Sequence, residues 1–203
     1  MKTHRPPSVR RRTGSPPRGI TLVEVMLAVA VLGIVAAMAV PSFEPDVATQ
    51  LDAFAQIVAS DLMAARDLAV ANNSTYRLTF EGNENRYRLE HVGTNPALNT
   101  LPATIFPNRA DTSTKHYTDL DDLPRMGVGS HLSAVELGSV PATSTTVLEF
   151  GPLGATSQTA GTTIWLSAGA GASERYLAVR IDPVTGLATV DALTATAPTT
   201  AGS

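Results

Sequence analysis

The sequence predicts an α+β chain: a long N-terminal α-helix, membrane-spanning in its first half, packed against an antiparallel β-sheet head. Three observations carry this expectation. Residues 20–40 are almost wholly apolar, apolar residues recur at spacings of three and four from Val47 to Ala69, and from Thr75 onward apolar and polar residues alternate with period two. At 203 residues the chain has room for one domain with a sizeable core plus extensions. Cysteine is absent, which excludes a disulfide framework, a thiolate zinc site and a cysteine nucleophile.

Residues 1–19 come first as a basic, proline-containing leader. Lys2, Arg5, Arg10, Arg11, Arg12 and Arg18 lie there and no acid does. The net charge of −3 therefore hides an asymmetry, because nine basic residues remain against all 18 acids and residues 20–203 carry about −9. A basic flank immediately before an apolar run is the cytoplasmic side expected from the positive-inside rule.

The apolar run at 20–40 would extend about 31 Å as a helix, close to the hydrocarbon thickness of a bilayer. Three uses compete: a signal peptide cut at the Ala37-Met38-Ala39 pattern, a plain anchor, or a segment stored in the membrane and then assembled with copies of itself. Glu24 discriminates, since a charge inside a span costs roughly 2.5–3.5 kcal/mol near its centre and less towards an end. A signal peptide or simple anchor gains nothing from that cost. A carboxylate here is useful if it meets a cation in a protein-lined setting, and the α-amino group created by a cut before Ile20, on a neighbouring subunit, would supply one. Gly33 and Pro41 punctuate the helix, and the proline predicts a kink or local melting near 37–41.

The stretch Gly19-Ile20-Thr21-Leu22-Val23-Glu24, followed by the apolar run and Pro41, resembles the prepilin signature of type IV pilins and type II secretion pseudopilins. The resemblance implies cleavage after Gly19 by a prepilin peptidase, N-methylation of Ile20, and assembly roles for Glu24 and Pro41. Ile20 departs from the phenylalanine usual at that position and keeps its apolar character.

Beyond Pro41, residues 41–73 read as a periplasmic helix whose stripe of Val47, Leu51, Phe54, Val58, Leu62, Ala65 and Ala69 faces a sheet. Asn72-Asn73-Ser74 ends it. Residues 74–191 read as the β-rich head. Residues 75–80 and 86–92 form a hairpin about a turn at 81–85, and further strands follow at 128–137, 145–150, 162–167, 174–181 and 186–191. Asp182-Pro183-Val184-Thr185-Gly186 turns between the last two. Residues 93–127, with four prolines, read as a long surface loop, and the Ala/Thr-rich tail at 192–203 as disordered.

Within this body, residues 51–73, with their Ala65-Arg66 pair, resemble the GspH/FimT branch of minor pseudopilins, where a leucine, an Ala-Arg pair, an alanine and an asparagine recur before the first strand. Residues 147–154, a strand running into a Gly-containing turn, are similar to that branch as well. Thr185-Gly186-Leu187 departs from it, since an arginine usually follows that glycine.

Chemistry-bearing patterns are sparse in the sequence. His4, His91, His116 and His131 lack metal-ligand spacing, no serine sits in a nucleophile elbow, and the Gly169-Ala170-Gly171 stretch lacks the lysine of a phosphate loop. No catalytic residue, cofactor or resident metal is expected. Asp119, Asp121 and Asp122 lie close enough in sequence to consider calcium, without EF-type spacing. Nucleic acid is disfavoured: the mature chain is acidic, although Tyr76, Arg77, Arg86, Tyr87 and Arg88 make a small basic-aromatic cluster.

The sequence therefore reads as a non-enzymatic minor pseudopilin of a type II secretion system. It is expected in the bacterial inner membrane, single-pass, with its head in the periplasm. Its expected partners are a prepilin peptidase and the other pseudopilins of a filament and its tip complex. The alternative is a minor type IV pilin serving pilus biogenesis or DNA uptake.

Overall fold

Residues 19–38, 47–104, 107–123, 129–138 and 142–198 are described by the structure, a computed structural model. The chain divides into two compact units, residues 1–44 and 45–203. In the first, helix α1 spans Leu22–Met38. Its start is set by Thr21, whose carbonyl accepts from the Glu24 and Val25 amides at 3.0 and 3.2 Å and whose hydroxyl accepts from the Glu24 amide at 3.3 Å. That is the arrangement of an N-cap threonine. The helix thus begins two residues later than the apolar run suggested.

The second unit opens with α2, Val47–Ala71, whose buried residues are Leu51, Phe54, Ala55, Val58, Leu62, Ala65 and Ala69. These are the stripe read from the sequence, with Ala55 added and Val47 at its margin. The helix ends in a left-handed residue, Asn73 at φ 46°. Ser74 donates its amide to Ala69 and Asn73 to Val70, the paired bonds of a Schellman motif.

Among the described residues nine strands follow: β1 (Tyr76–Glu81), β2 (Arg86–His91), β3 (Lys115–Asp119), β4 (Ser130–Leu137), β5 (Thr143–Ser144), β6 (Val147–Phe150), β7 (Thr162–Ala168), β8 (Arg175–Ile181) and β9 (Ala188–Val190). They form two antiparallel sheets rather than one, in the orders β3-β2-β1-β6 and β5-β4-β7-β8-β9. One apolar cluster serves both. Tyr76, Leu78, Phe80, Leu148 and Phe150 from the first sheet and Ile164, Leu166, Leu177, Val179 and Ile181 from the second bury themselves with the stripe of α2. Each such side chain contributes about 1.5–3 kcal/mol relative to exposure.

Two expectations are corrected. The segment 93–127 is not loop throughout, since β3 pairs with β2 from Arg86↔Asp119 to Glu90↔Lys115. Its exposed edge is finished locally, with the Asp111 carboxylate accepting from the Tyr117 amide at 2.7 Å. Nor is the tail disordered from 192 onward, because Thr194 and Tyr176 exchange two backbone hydrogen bonds of 2.8 Å.

Asn85, at the β1–β2 turn, joins the sheets. It is left-handed at φ 47° and nearly buried. Its amide group donates to Asp121 Oδ1 at 2.7 Å and to the Ser130 carbonyl at 2.9 Å, while its Oδ1 accepts from the Leu132 amide at 2.8 Å. Asn85→Ala should lose about 3 kcal/mol in urea denaturation of the head, from buried groups left unpaired and from φ above zero. Asn85→Gly, which relieves only the backbone, should lose less.

A second polar link ties α2 to β2 and β3. Asp61 Oδ2 accepts from Tyr87 Oη at 2.6 Å and from Thr118 Oγ1 at 2.9 Å. Burial first, then the Asp61 charge, holds the Tyr87 hydroxyl well above its ordinary value near 10. A folded-state value raised above the unfolded one contributes stability that is complete below about pH 10 and lost as pH rises beyond it. The urea midpoint should therefore fall above about pH 10, and fall less steeply in Tyr87→Phe.

Candidate functional site

The residues singled out for assembly lie at the start of α1. Gly19 and Ile20 are exposed and stand outside the helix. Thr21 caps it, and Glu24 occupies its first turn, where a carboxylate is favoured by the helix dipole. Glu24's carboxylate makes no hydrogen bond or ion pair among the described residues, and its backbone amide is engaged by Thr21. Pro41 and any bend there lie outside the described residues.

The surface of α1 is apolar on every side. All its large apolar side chains up to Val35, with Ile20 before it, are at least 51% exposed. Among the described residues no helix is long and apolar enough to cross a membrane, α1 as described counting 17 residues.

The head holds a second constellation, one that spacing alone did not reveal. Arg66 leaves α2 and donates from Nε to the Thr185 carbonyl at 2.8 Å. Its side chain runs between two glycine turns. A Cβ on Gly154, at φ 80°, would stand 3.0 Å from Arg66 Nε. One on Gly186, at φ 64°, would strike the Gly154 carbonyl oxygen. Thr156 ties the same turns together by donating its amide to the Pro183 carbonyl at 2.9 Å. Asp182 shapes the second turn, its Oδ1 accepting from the amides of Val184 and Thr185 and from the Thr185 hydroxyl. Hydrogen bonds from Thr185 lower the Asp182 carboxyl below its usual value. The Ala65-Arg66 pair, the Gly-containing turn at 151–154 and Thr185-Gly186 were each visible in the sequence. Their meeting was not, because residues more than 100 positions apart make it.

The remaining polar clusters are structural. His91 lies between Ser74 Oγ at 2.7 Å and Asn99 Oδ1 at 2.8 Å. This resembles a nucleophile relay in its connections, yet Ser74 and His91 are both buried and a Cβ on Gly93 would land on the pair. No substrate fits there, and the chain of bonds pins the segment after β2. His131 is exposed on β4, and His116 lines an open groove of about 880 Å³ beside α2 that gathers no catalytic arrangement. His4 lies outside the described residues. Asp121 is held by Asn85, and Asp119 Oδ1 accepts from the Asp121 amide at 3.0 Å. Among the described residues no group of three metal-ligating side chains gathers.

The basic-aromatic hairpin is neutralised. Arg77 pairs with Glu149 at 2.6 Å, Arg86 with Glu81 at 2.6 Å and Glu84 at 2.5 Å, and Arg88 with Glu81. Tyr76 and Tyr87 face the core. These three arginines are committed to carboxylates rather than offered to phosphates.

Comparison with known families matches residues 15–40 to the prokaryotic N-terminal methylation motif and residues 55–186 to the type II transport protein GspH. No curated protein sequence matches the chain. Among solved structures, the minor pseudopilin EpsH of the Vibrio cholerae type II secretion system is similar at 12% identity and a TM-score of 0.50, covering 74% of this chain and 99% of that one. A second structure of EpsH gives 14% identity, coverage of 72% and 98%, and a TM-score of 0.46. The type IV minor pilin FimU of Pseudomonas aeruginosa gives 13%, 73% and 92%, and 0.43.

The turn pair makes a graded prediction. Gly186→Ala meets a backbone carbonyl and a positive φ and should cost about 3 kcal/mol or more. Gly154→Ala shares the positive φ but meets only a flexible side chain and should cost less than Gly186→Ala, and Arg66→Ala should cost about 1–2 kcal/mol through the lost bond to Thr185. Urea denaturation of the three variants checks the order.

Proposed function

The chain belongs to the type II transport protein GspH family, and from that premise, which makes it a minor pseudopilin of type II secretion, we propose how it is processed and assembled. A prepilin peptidase cuts after Gly19, Ile20 becomes the methylated N-terminus, and the chain is held in the bacterial inner membrane by residues 20–40 with its head in the periplasm. It then enters a short periplasmic filament through α1, beside other pseudopilins and near the tip. The part it plays is structural.

One observation carries this reading: an apolar helix exposed on every side, with a carboxylate in its first turn that no described residue engages and an accessible peptide just ahead of it. Buried between helices, Glu24 would be costly alone and favourable beside a neighbouring subunit's α-amino group. That pairing fixes the axial register of adjacent helices, and Pro41 is assigned the bend that lets the helix follow the filament. The neutralised hairpin supports a secretion subunit over the alternative, a minor type IV pilin that grips DNA.

The intact mass and N-terminus of the membrane-extracted protein, from a host with its prepilin peptidase, test this. The expected chain starts at Ile20 and is heavier by one methyl group. Glu24→Leu should still be cut but should no longer co-purify with the other pseudopilins. A soluble chain starting at Val40 would instead mean a signal peptide and would overturn the proposal.

A further inference from the structure

We propose that the two glycine turns clamped by Arg66 form the head's docking surface for a neighbouring subunit. They make an apolar knuckle with an acidic rim, which fits an apolar recess edged by lysine or arginine on the head of another pseudopilin. This rests on the reading that the chain assembles with other pseudopilins, and it names the surface and the chemistry of that contact.

Its first basis is where the exposed apolar side chains of the head lie. Scattered ones are ordinary and carry no meaning. Here they gather. Among the described residues of the second unit, five large apolar side chains are exposed: Val70, Leu153, Val184, Leu187 and Leu193. Leu153 and Val184 are 90% and 76% exposed. Leu153 precedes Gly154, while Val184 and Leu187 stand on either side of Gly186, and these two glycines are in backbone contact. Val70 lies one turn beyond Arg66 on the same side of α2. Four of the five thus belong to the clamp or flank it. The tips are also held in advance, which lowers the ordering cost of binding. Gly154 donates its amide to the Gly151 carbonyl at 2.9 Å and Gly186 to the Asp182 carbonyl at 2.8 Å, and the bonds from Thr156 and Arg66 tie turn to turn and turn to helix.

Charge selects the occupant. Asp67, with 72% of its side chain exposed, and Asp182, exposed on the second turn, edge the knuckle. A second copy of this chain matches poorly. The knuckle against itself sets these acids opposite their own counterparts, and the groove beside α2 is lined by Asp61, Asp119 and Asp122. Residues 45–203 as a whole hold nine lysines and arginines against 16 acids. An anionic lipid surface is repelled in the same way. Size points to a tethered partner. Four side chains cover far less than the roughly 1,200 Å² that a stable interface buries, so the contact suits a head already held close by stems that share an assembly.

The test uses the full-length chain in membranes of a host carrying its prepilin peptidase and the other pseudopilins. A photo-crosslinking residue replaces Leu153 or, as an exposed control on β4, His131. Position 153 should give an adduct with one other pseudopilin, mapped by mass to an apolar head segment flanked by lysine or arginine. Position 131 should give none with that partner. Without the crosslinker, Leu153→Asp combined with Val184→Asp should lower recovery of the same partner about ten-fold or more, as two apolar side chains lose their burial, with the urea midpoint of the head unchanged. The proposal is overturned by no adduct, a lipid adduct or a second-copy adduct from position 153, by a mapped segment that is acidic, by equal yield from position 131, or by wild-type recovery in the double variant. The N-terminus of the uncrosslinked chain is read in the same samples. A chain that starts at Ile20 and gives one of those results sinks this surface alone, whereas a chain cut elsewhere removes the reading beneath it.

Discussion

The head is organised around the side chain of Arg66. It departs from α2 one residue after the buried Ala65 and ends on the Thr185 carbonyl, passing between glycines that no other residue type could replace without displacing a neighbour. Three elements with no hydrogen-bond ladder in common meet there: the helix, the turn that follows β6 in the first sheet, and the turn between β8 and β9 in the second. A guanidinium suits this place. Its planar fork reaches past the helix surface while its aliphatic stem packs against turn backbone. Lysine could supply a donor but not the flat body that the two turns enclose.

The two sheets share a core without sharing a ladder, so their mutual placement depends on α2 and on links beyond apolar contact. Apolar packing is non-directional and would tolerate some sliding of one sheet over the other. Arg66 and Asn85 remove that freedom at separate ends. Tyr76 pairs with Phe150, which puts the 151–154 turn at the end of the first sheet where β1 begins. Asn85 lies past the other end of β1 and grips Ser130 and Leu132 at the start of β4. Each clamp fixes a turn in a left-handed backbone conformation, so a loose version of either contact has no alternative register to settle into.

Much of this was legible in the sequence where one periodicity dominated. The stripe of α2 and the hairpin of β1 and β2 follow directly from spacings of three to four and of two. The Asp182–Gly186 turn follows from its residues. β3 was hidden for a physical reason: an edge strand half-buried at all five positions shows no alternation, and its outer edge is finished by Asp111 rather than by a partner strand. The division into two sheets was hidden as well, because inward positions look alike whichever sheet they belong to. The clamps were written in residues that local reading explains otherwise, Arg66 as a polar face and Asn85 as a turn former. In the stem the reverse holds. Glu24 was conspicuous as a charge in an apolar run, and the threonine three residues earlier explains where the helix can start.

The stem and the head answer the problem of association in opposite ways. The head closes off its routes to promiscuous contact. Tyr117 on β3 is capped by Asp111; on β6 the Glu149 carbonyl accepts from the Ser157 amide and the Val147 carbonyl from Gln158; the outermost strands of the second sheet are two and three residues long. Short or covered edges of this kind suppress strand addition, and the ion pairs of the hairpin cancel the charge that would draw a polyanion. The stem does the opposite, presenting apolar side chains on every face and one carboxylate that no described residue engages. Among the described residues of its unit nothing buries those side chains, and lipid or other helices would do so. Lipid alone gives Glu24 no partner. In the assembly proposed above, a bundle of such helices would give it one for each new N-terminus, so the carboxylate that would penalise storage in the membrane would favour departure into an assembly.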